Sequence, residues 1–294
     1  MNKSNKQTGK IQQNLAKELK NKTILITGGA GSIGSFLVKR LLEYPVRAIR
    51  VLDVDEYALF RLSRTITDSR LRLLLGSILD KDRVEMASNR ADLIFHFAAI
   101  KNIEISEFNP IETIDTNING TVNMIKAAMR NKPKKFINIS TDKAADASTL
   151  YGTTKQLSER LTSWAGFHMY PIKFATVRFG NVIESRGNVF DIWNEELKNN
   201  KPLSITDPFM KRYFFHIEEA VDFILECLPL ANTGEVFIPK MKSYNVVDLA
   251  NKISKNHKII GKRQGEKLSE VLISEREKEL AEERKSMWIL KCYK

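Results

Sequence analysis

A parallel, doubly wound α/β sheet with a smaller C-terminal lobe is the fold that this sequence predicts, on three observations. Short β-prone apolar runs alternate with helical segments through about residue 180, a glycine-rich turn follows the first run, and the pattern loosens beyond Phe179. Repeated strand-helix units of this kind build a parallel sheet whose ligands lie at the carboxyl ends of its strands.

Taken in order, Thr23-Ile-Leu-Ile-Thr27 is the first strand, and Gly28-Gly-Ala-Gly31-Ser32-Ile33-Gly34 turns the chain into an apolar-periodic helix from Phe36. Glycines so placed let a backbone approach a pyrophosphate closely, and the helix N-terminus then faces its negative charge. Ala48-Ile-Arg-Val-Leu52 is the second strand and ends at Asp53. That position lies about twenty residues beyond the glycines, where a carboxylate can accept hydrogen bonds from an adenosine ribose. The same charge repels a 2′-phosphate, so NAD is the expected cofactor and NADP the alternative. Glu56 to Arg64 reads as a helix, Leu71-Arg-Leu-Leu-Leu-Gly-Ser77-Ile78 as a strand, 80–89 as a helix, Asp92 to Ala99 as a strand, and Asn109 to Asn131 as one helix. The strand Lys135-Phe-Ile-Asn-Ile-Ser140 feeds a loop, and the helix after it carries Tyr151 and Lys155 one turn apart on one face. A separate helix is expected at about 217–228, and the charge-alternating tail from Glu275 to Lys285 reads as an exposed helix.

These elements divide the chain into a basic N-terminal extension (1–22), a Rossmann-type dinucleotide-binding domain (23–180) and a mainly substrate-binding lobe (181–294), part of which returns to the sheet. The 294 residues, 43% hydrophobic and 28% charged, suit a globular enzyme. No apolar run is long enough to span a membrane, and the N-terminus lacks a signal-peptide core, so a cytoplasmic protein without a membrane span is expected. Two cysteines, Cys227 and Cys292, and four scattered histidines lack metal-ligand spacing. No metal is expected, and His96, at the end of an apolar strand, reads as a packed residue. The net charge of +12 owes much to Lys3, Lys6, Lys10, Lys17, Lys20 and Lys22. The remaining basic residues are not interleaved with aromatics, which argues for a solvated surface and against nucleic acid. Ile11, Leu15 and Leu19 recur every four residues, predicting a short helix that docks on the body or on another subunit.

Four groups able to move protons or hold charge, Asp142, Lys143, Tyr151 and Lys155, fall within one short stretch. The Lys155 ammonium is expected to lower the phenol's pKa and make Tyr151 a base near neutral pH. Asp142 and Lys143 could be a simple loop ion pair, but their place beside Tyr151 favours chemistry. Ordered blocks run through the chain: Phe95-His-Phe-Ala-Ala-Ile-Lys101, Glu107-Phe-Asn-Pro110, Thr116-Asn117, Ser140-Thr-Asp-Lys-Ala-Ala145, Leu150-Tyr-Gly-Thr-Thr-Lys155, Arg178-Phe-Gly-Asn-Val182, Ser185-Arg-Gly187, Ile205-Thr-Asp-Pro208 and Gly265-Glu-Lys-Leu268. In these the sequence resembles the extended short-chain dehydrogenase/reductase superfamily. Within it, the chain is most similar to the UDP-N-acetylglucosamine 4,6-dehydratases of the polysaccharide biosynthesis protein family, in particular the soluble C5-inverting type that begins pseudaminic acid synthesis.

The resemblance implies a hydro-lyase that makes a UDP-6-deoxy-4-keto-hexosamine for surface glycans or glycoproteins, inverted at C5 where C5 is reprotonated from the opposite face, with retention by same-face protonation left open by the sequence. Tyr151, supported by Thr141, takes the proton from the sugar's O4. Lys143, its pKa lowered by burial and neighbouring positive charge, removes the C5 proton, and Asp142 protonates O6 so that water leaves. The resemblance assigns the cofactor to Gly28, Gly31, Ser32, Ile33, Gly34, Asp53, Ser77, Ile78, Ala98, Ala99, Lys101 and Asn117, with Tyr151 and Lys155. It assigns the nucleotide sugar to Lys101, Asn181, Val189, Phe190, Arg212, Arg263 and Glu266, and it implies a homo-oligomer. Ser77, Asn102 and Phe209 depart from the relatives' usual aspartate, histidine and arginine, which keeps another nucleotide hexose open as substrate. A nucleotide-sugar 4-epimerase is the other alternative; it would share Tyr151 and Lys155 but has no need of Asp142 and Lys143.

Overall fold

The computed structural model describes residues 13–263 and 265–291. Helix α1 (13–19) leads into β1 (Thr23–Thr27), α2 (Ser32–Leu42), β2 (Ala48–Asp53), α3 (Glu56–Thr65), β3 (Leu71–Leu75), α4 (Lys81–Ser88) and β4 (Leu93–His96). Then follow α5 (Ile103–Phe108), α6 (Pro110–Ile114), α7 (Gly120–Asn131), β5 (Lys135–Thr141), α8 (Leu150–His168) and β6 (Lys173–Phe179). The rest comprises β7 (Asn181–Val182), α9 (Val189–Lys198), β8 (Leu203–Ile205), β9 (Lys211–Phe215), α10 (Ile217–Cys227), β10 (Thr233–Pro239), β11 (Ser243–Asn245), α11 (Val246–Ile253), β12 (His257–Ile259), α12 (Glu275–Lys278), β13 (Ala281–Glu283) and β14 (Met287–Leu290).

One nine-stranded sheet, in the order β13-β14-β10-β6-β5-β4-β1-β2-β3, organises the molecule. From β3 to β10 every pairing is parallel. The order reverses between β1 and β4, and a crevice opens there at the carboxyl ends. Both sheet faces are covered: α2, α3 and α10 close one core around Leu37, Leu59 and Ile224, and α4, α7 and α8 close the other around Phe136, Met124 and Ala165. Strands β1 and β5 are buried at every position, and the Ile-Leu-Ile centre of β1 reads accordingly as an apolar run. A small third core around Trp193, Leu203 and Val246 joins α9, β8 and α11 beyond the sheet.

Helix α1 docks on the body: Leu15 and Leu19 are buried in the main core, and Glu18 Oε1 pairs with Lys135 Nζ at 2.6 Å. Ile11 and Lys3, Lys6 and Lys10 lie outside the described residues. Two elements differ from expectation. The single helix from Asn109 is α6 and α7 joined by a π-helical turn (Asp115–Asn119), whose extra residue turns Asn117 inward. The tail is not an exposed helix. After one capped turn, α12, it forms the hairpin of β13 and β14, which extends the sheet antiparallel to β10. Charge alternation fits either a solvated helix or an edge strand, and the apolar run Met287 to Leu290, with three residues buried against β10, decides for the strand.

Candidate active site

Two cavities meet at the carboxyl edge of the sheet. The larger, about 540 Å³, occupies the crevice at the β1/β4 reversal and is lined by Gly28, Gly31, Ser32, Ile33, Gly34, Asp53, Ser77, Ile78, Ala98, Ala99 and Lys101. Its floor needs glycine. Gly28 sits at φ +67°, and a Cβ there would stand 2.7 Å from Ala98 N. Gly34 lies so close to Gly29 that a Cβ would approach its Cα at 2.6 Å. The N-terminus of α2 faces the same space with no side-chain cap, leaving N–H groups for an anion. The Asp53 carboxylate braces this turn, Oδ2 accepting from Ala30 N at 3.0 Å and Oδ1 from Asp55 N at 3.1 Å. Asn117 lies off this cavity's wall. It is buried and holds the loop after β4, bonding Ile100 N and O at 2.8 and 2.9 Å and Thr154 Oγ1 at 3.0 Å.

The second cavity, about 280 Å³, shares Ile33, Phe97, Ala99, Lys101, Ser185 and Arg186 with the first and adds Thr141, Lys143, Tyr151, Lys155 and Asn181. Strand β5 ends at Thr141, a 3₁₀ turn holds Asp142 to Ala144, and α8, capped by Thr149, brings Tyr151 and Lys155 over that turn. Gly152 belongs to the same packing, since a Cβ there would meet Lys143 O at 2.5 Å. Asp142 lies behind the wall. Its side chain is fully buried, with Oδ1 accepting from Thr141 Oγ1 and Lys143 Nζ, each at 3.0 Å, and Oδ2 without a hydrogen-bond partner.

The electrostatics correct two expectations. Burial alone would lower the Lys143 pKa, but Asp142, Glu270 and Tyr151 surround the ammonium with negative or ionisable oxygen and raise it. The Tyr151 phenol is also raised: burial and Asp142 outweigh the favourable influence of Lys143 and Thr141, and it is Lys143, not Lys155, that acts as the favourable cation. Lys155 carries the depressed value instead, about 8, because burial outweighs the partial support of Glu159. Lys101 is lowered by burial and by Arg186, whose backbone oxygen accepts from Lys101 Nζ at 2.7 Å. His96 is packed between Thr27 and Thr121, and burial lowers its pKa to about 3.

The other expected substrate residues fall into two groups. Asn181 lines the second cavity and is fixed by its bond from Nδ2 to Tyr213 O at 3.0 Å. Val189 and Phe190 instead pack on the third core, Phe190 edge-on to Trp193 and Phe214, and the neighbouring Asn188 reaches the wall. Arg212, Arg263 and Glu266 cluster away from both walls: Arg212 pairs with Glu266 at 3.5 Å, Glu266 accepts from Arg263 N, and Arg263 pairs with Glu104. Two residues that the sequence reading left without a role belong to the site. Arg186 stands where the cavities join, anchored by its N–H to Ser32 Oγ at 3.0 Å, and Glu270 is a buried carboxylate facing Lys143. The Ser185-Arg-Gly187 block was the available signal for the first; nothing local distinguishes the second. Among the described residues no cluster of potential metal ligands occurs.

Residues 24–292 match the polysaccharide biosynthesis protein family. The chain is 42% identical to an uncharacterized membrane protein of Methanocaldococcus jannaschii, over 96% of this chain and 89% of that one. It is 40% identical to the UDP-N-acetylglucosamine 4,6-dehydratase (inverting) of Campylobacter jejuni, over 86% and 78%. Similarity to the UDP-glucose 4-epimerase of Rickettsia bellii is 34% over 90% and 81%. Among solved structures, that of Pen from Bacillus thuringiensis superposes with a TM-score of 0.89 at 35% identity, covering 93% of this chain and 88% of the other. No described helix is long and apolar enough to cross a membrane.

Proposed function

The chain belongs to the polysaccharide biosynthesis protein family, and from that premise we propose that it is an NAD-dependent 4,6-dehydratase acting on UDP-N-acetylglucosamine. The observation that carries this reading is that Lys143 and Tyr151 line one cavity continuous with the glycine-floored crevice, with Asp142 hydrogen-bonded to Lys143 and Thr141 directly behind its wall. An epimerase needs only to move a proton and a hydride at C4, whereas water loss across C5 and C6 needs a further acid and base.

The crevice suits a dinucleotide, because its glycine floor leaves no room for side chains and an uncapped helix end faces it. Gly28, Gly31, Ser32 and Gly34 would hold the pyrophosphate and Asp53 the ribose, which favours NAD over NADP. Bound there, the nicotinamide supplies a reversible hydride acceptor. Tyr151 takes the proton of the sugar's O4, Lys143 removes the C5 proton made acidic by the C4 ketone, and Asp142 delivers a proton to O6. Protonation of C5 from the face opposite Lys143 gives the inverted sugar.

The exposed apolar residues Ile105, Phe108 and Ile111 of α5 and α6 and Leu157, Trp164 and Phe167 of α8 support assembly into a homo-oligomer. Light scattering would test this.

Incubation with UDP-N-acetylglucosamine in D₂O tests the activity. A 4-keto sugar with a new methyl group, one water lost and deuterium at C5 is expected, and Lys143→Ala is expected to abolish water loss while still binding NAD. An epimerised sugar with no water lost would identify an epimerase instead.

A further inference from the structure

The dehydratase reading leaves a question of proton balance. In each turnover O4 gives up a proton to Tyr151 and the departing O6 takes one from Asp142, so a proton must pass from the first residue to the second. Solvent is a poor carrier, because the Asp142 side chain is fully buried and the Gly180 backbone lies over Oδ2, a Cβ at Gly180 coming within 3.4 Å of it. Only Thr141 Oγ1 and Lys143 Nζ contact this carboxylate as hydrogen-bond donors among the described residues. Lys143 has its own proton to handle, from C5. Thr141 is itself buried, its hydroxyl donates to Asp142 Oδ1 at 3.0 Å, and it lines the same cavity as Tyr151, whose phenolate it favours.

We propose that Thr141 is the central link of a proton relay, Tyr151 to Thr141 to Asp142, through which oxidation at C4 arms the acid used in the elimination. As the O4–H bond breaks, a new O–H forms on Tyr151, and the phenol's original proton passes to Thr141 Oγ1. The Thr141 proton moves in turn to Asp142 Oδ1. Asp142 then gives that proton to O6 as the C6–O6 bond breaks, and all three residues return to their starting state without a co-reactant. This explains why the base can rest as a neutral phenol. It also lowers the proton affinity of Lys143. Protonating Asp142 removes one of the two carboxylates, Asp142 and Glu270, that hold the Lys143 proton.

The groups facing the relay are Lys143, Asp142 and Lys155 around Tyr151, and Lys143 and Glu270 around Asp142; Lys155, at about 8, titrates alike in wild type and variant, so the difference between their pH profiles in the oxidation step separates relaying from positioning. The test is the rate of reduced-cofactor formation in single turnovers of the NAD-loaded enzyme. The wild type should be nearly independent of pH around neutrality. Thr141→Val, with the chain cut, should slow about 100-fold at pH 7 and recover about tenfold per pH unit as Tyr151 ionises directly. Thr141→Ser should restore both rate and flat profile. A Thr141→Val enzyme that keeps the wild-type rate, or slows without gaining pH dependence, overturns the relay. A wild type that forms neither reduced cofactor nor 4-keto product overturns the dehydratase reading itself.

Discussion

Replacing Lys155 with methionine should make this protein more stable and inactive. The Lys155 amine is buried and its pKa is lowered from 10.5 to about 8. In the unfolded chain the same group titrates at its ordinary value, so below about pH 8 both states carry the proton and the fold bears the full cost of enclosing an ammonium. Between pH 8 and 10.5 the unfolded chain keeps a proton that the native state has released, and stability climbs with pH. The difference is worth about 3 kcal/mol, at roughly 1.4 kcal/mol per unit of pKa. Methionine removes that cost and fills the same space. Glu159 is not left unpaired, because Arg178 binds it through two contacts of 2.9 and 2.6 Å. The expected result in urea or thermal unfolding is a Lys155→Met variant about 3 kcal/mol more stable than wild type at pH 7, with a gain that shrinks as pH approaches 10.5. Contributions from other titrating groups cancel in the comparison. A variant that is less stable, or whose advantage is the same at both ends of the range, would refute the reasoning.

Three further substitutions probe other parts of the structure. Gly28→Ala, at φ +67° and 2.7 Å from Ala98 N, introduces strain of about 1–2 kcal/mol and should weaken NAD binding at least ~10-fold in a fluorescence titration; unchanged affinity would show that the crevice floor is not a close-approach surface. Arg178→Met leaves Glu159 and Glu277 buried without their shared partner and should cost about 3–5 kcal/mol in urea denaturation, and a loss below about 1 kcal/mol would mean the network relaxes freely. Asp53→Asn should narrow the preference for NAD over NADP measured by the same titration, whereas a wild type that binds NADP more tightly would overturn the role given to this strand end.

What the sequence revealed and what it did not divide along the range of the interactions involved. Strands β1, β2 and β5, the glycine turn and the placing of Tyr151 and Lys155 on α8 follow from periodicity and spacing within a few residues, and the structure has them where expected. The π turn that points Asn117 at Ile100, the hairpin of β13 and β14, and the seating of Phe190 on Trp193 depend on contacts with segments distant in sequence. Protonation was the least legible property, and for the same reason. The sequence suggested that Lys155 would act on Tyr151 and that burial and neighbouring positive charge would depress Lys143, whereas burial raises Tyr151 and lowers Lys155, and Asp142 and Glu270 hold the Lys143 proton.

In the folded protein, segment 265–277 returns across the catalytic loop and changes that balance. It brings Glu270 to Lys143, ties Lys267 to Asp146 and Gly265 O to Ser148, and seats Glu277 on Arg178, which also holds Glu159 one turn beyond Lys155. The proposed catalytic side chains thus come from one local stretch, and their proton affinities are set first by burial and by one another, with Glu270 adding to Asp142 in holding the Lys143 proton from more than a hundred residues away. A relative could keep all of Asp142, Lys143, Tyr151 and Lys155 and still differ in chemistry if this returning segment changed. Glu270 is therefore as informative about what the site does as the motif it faces.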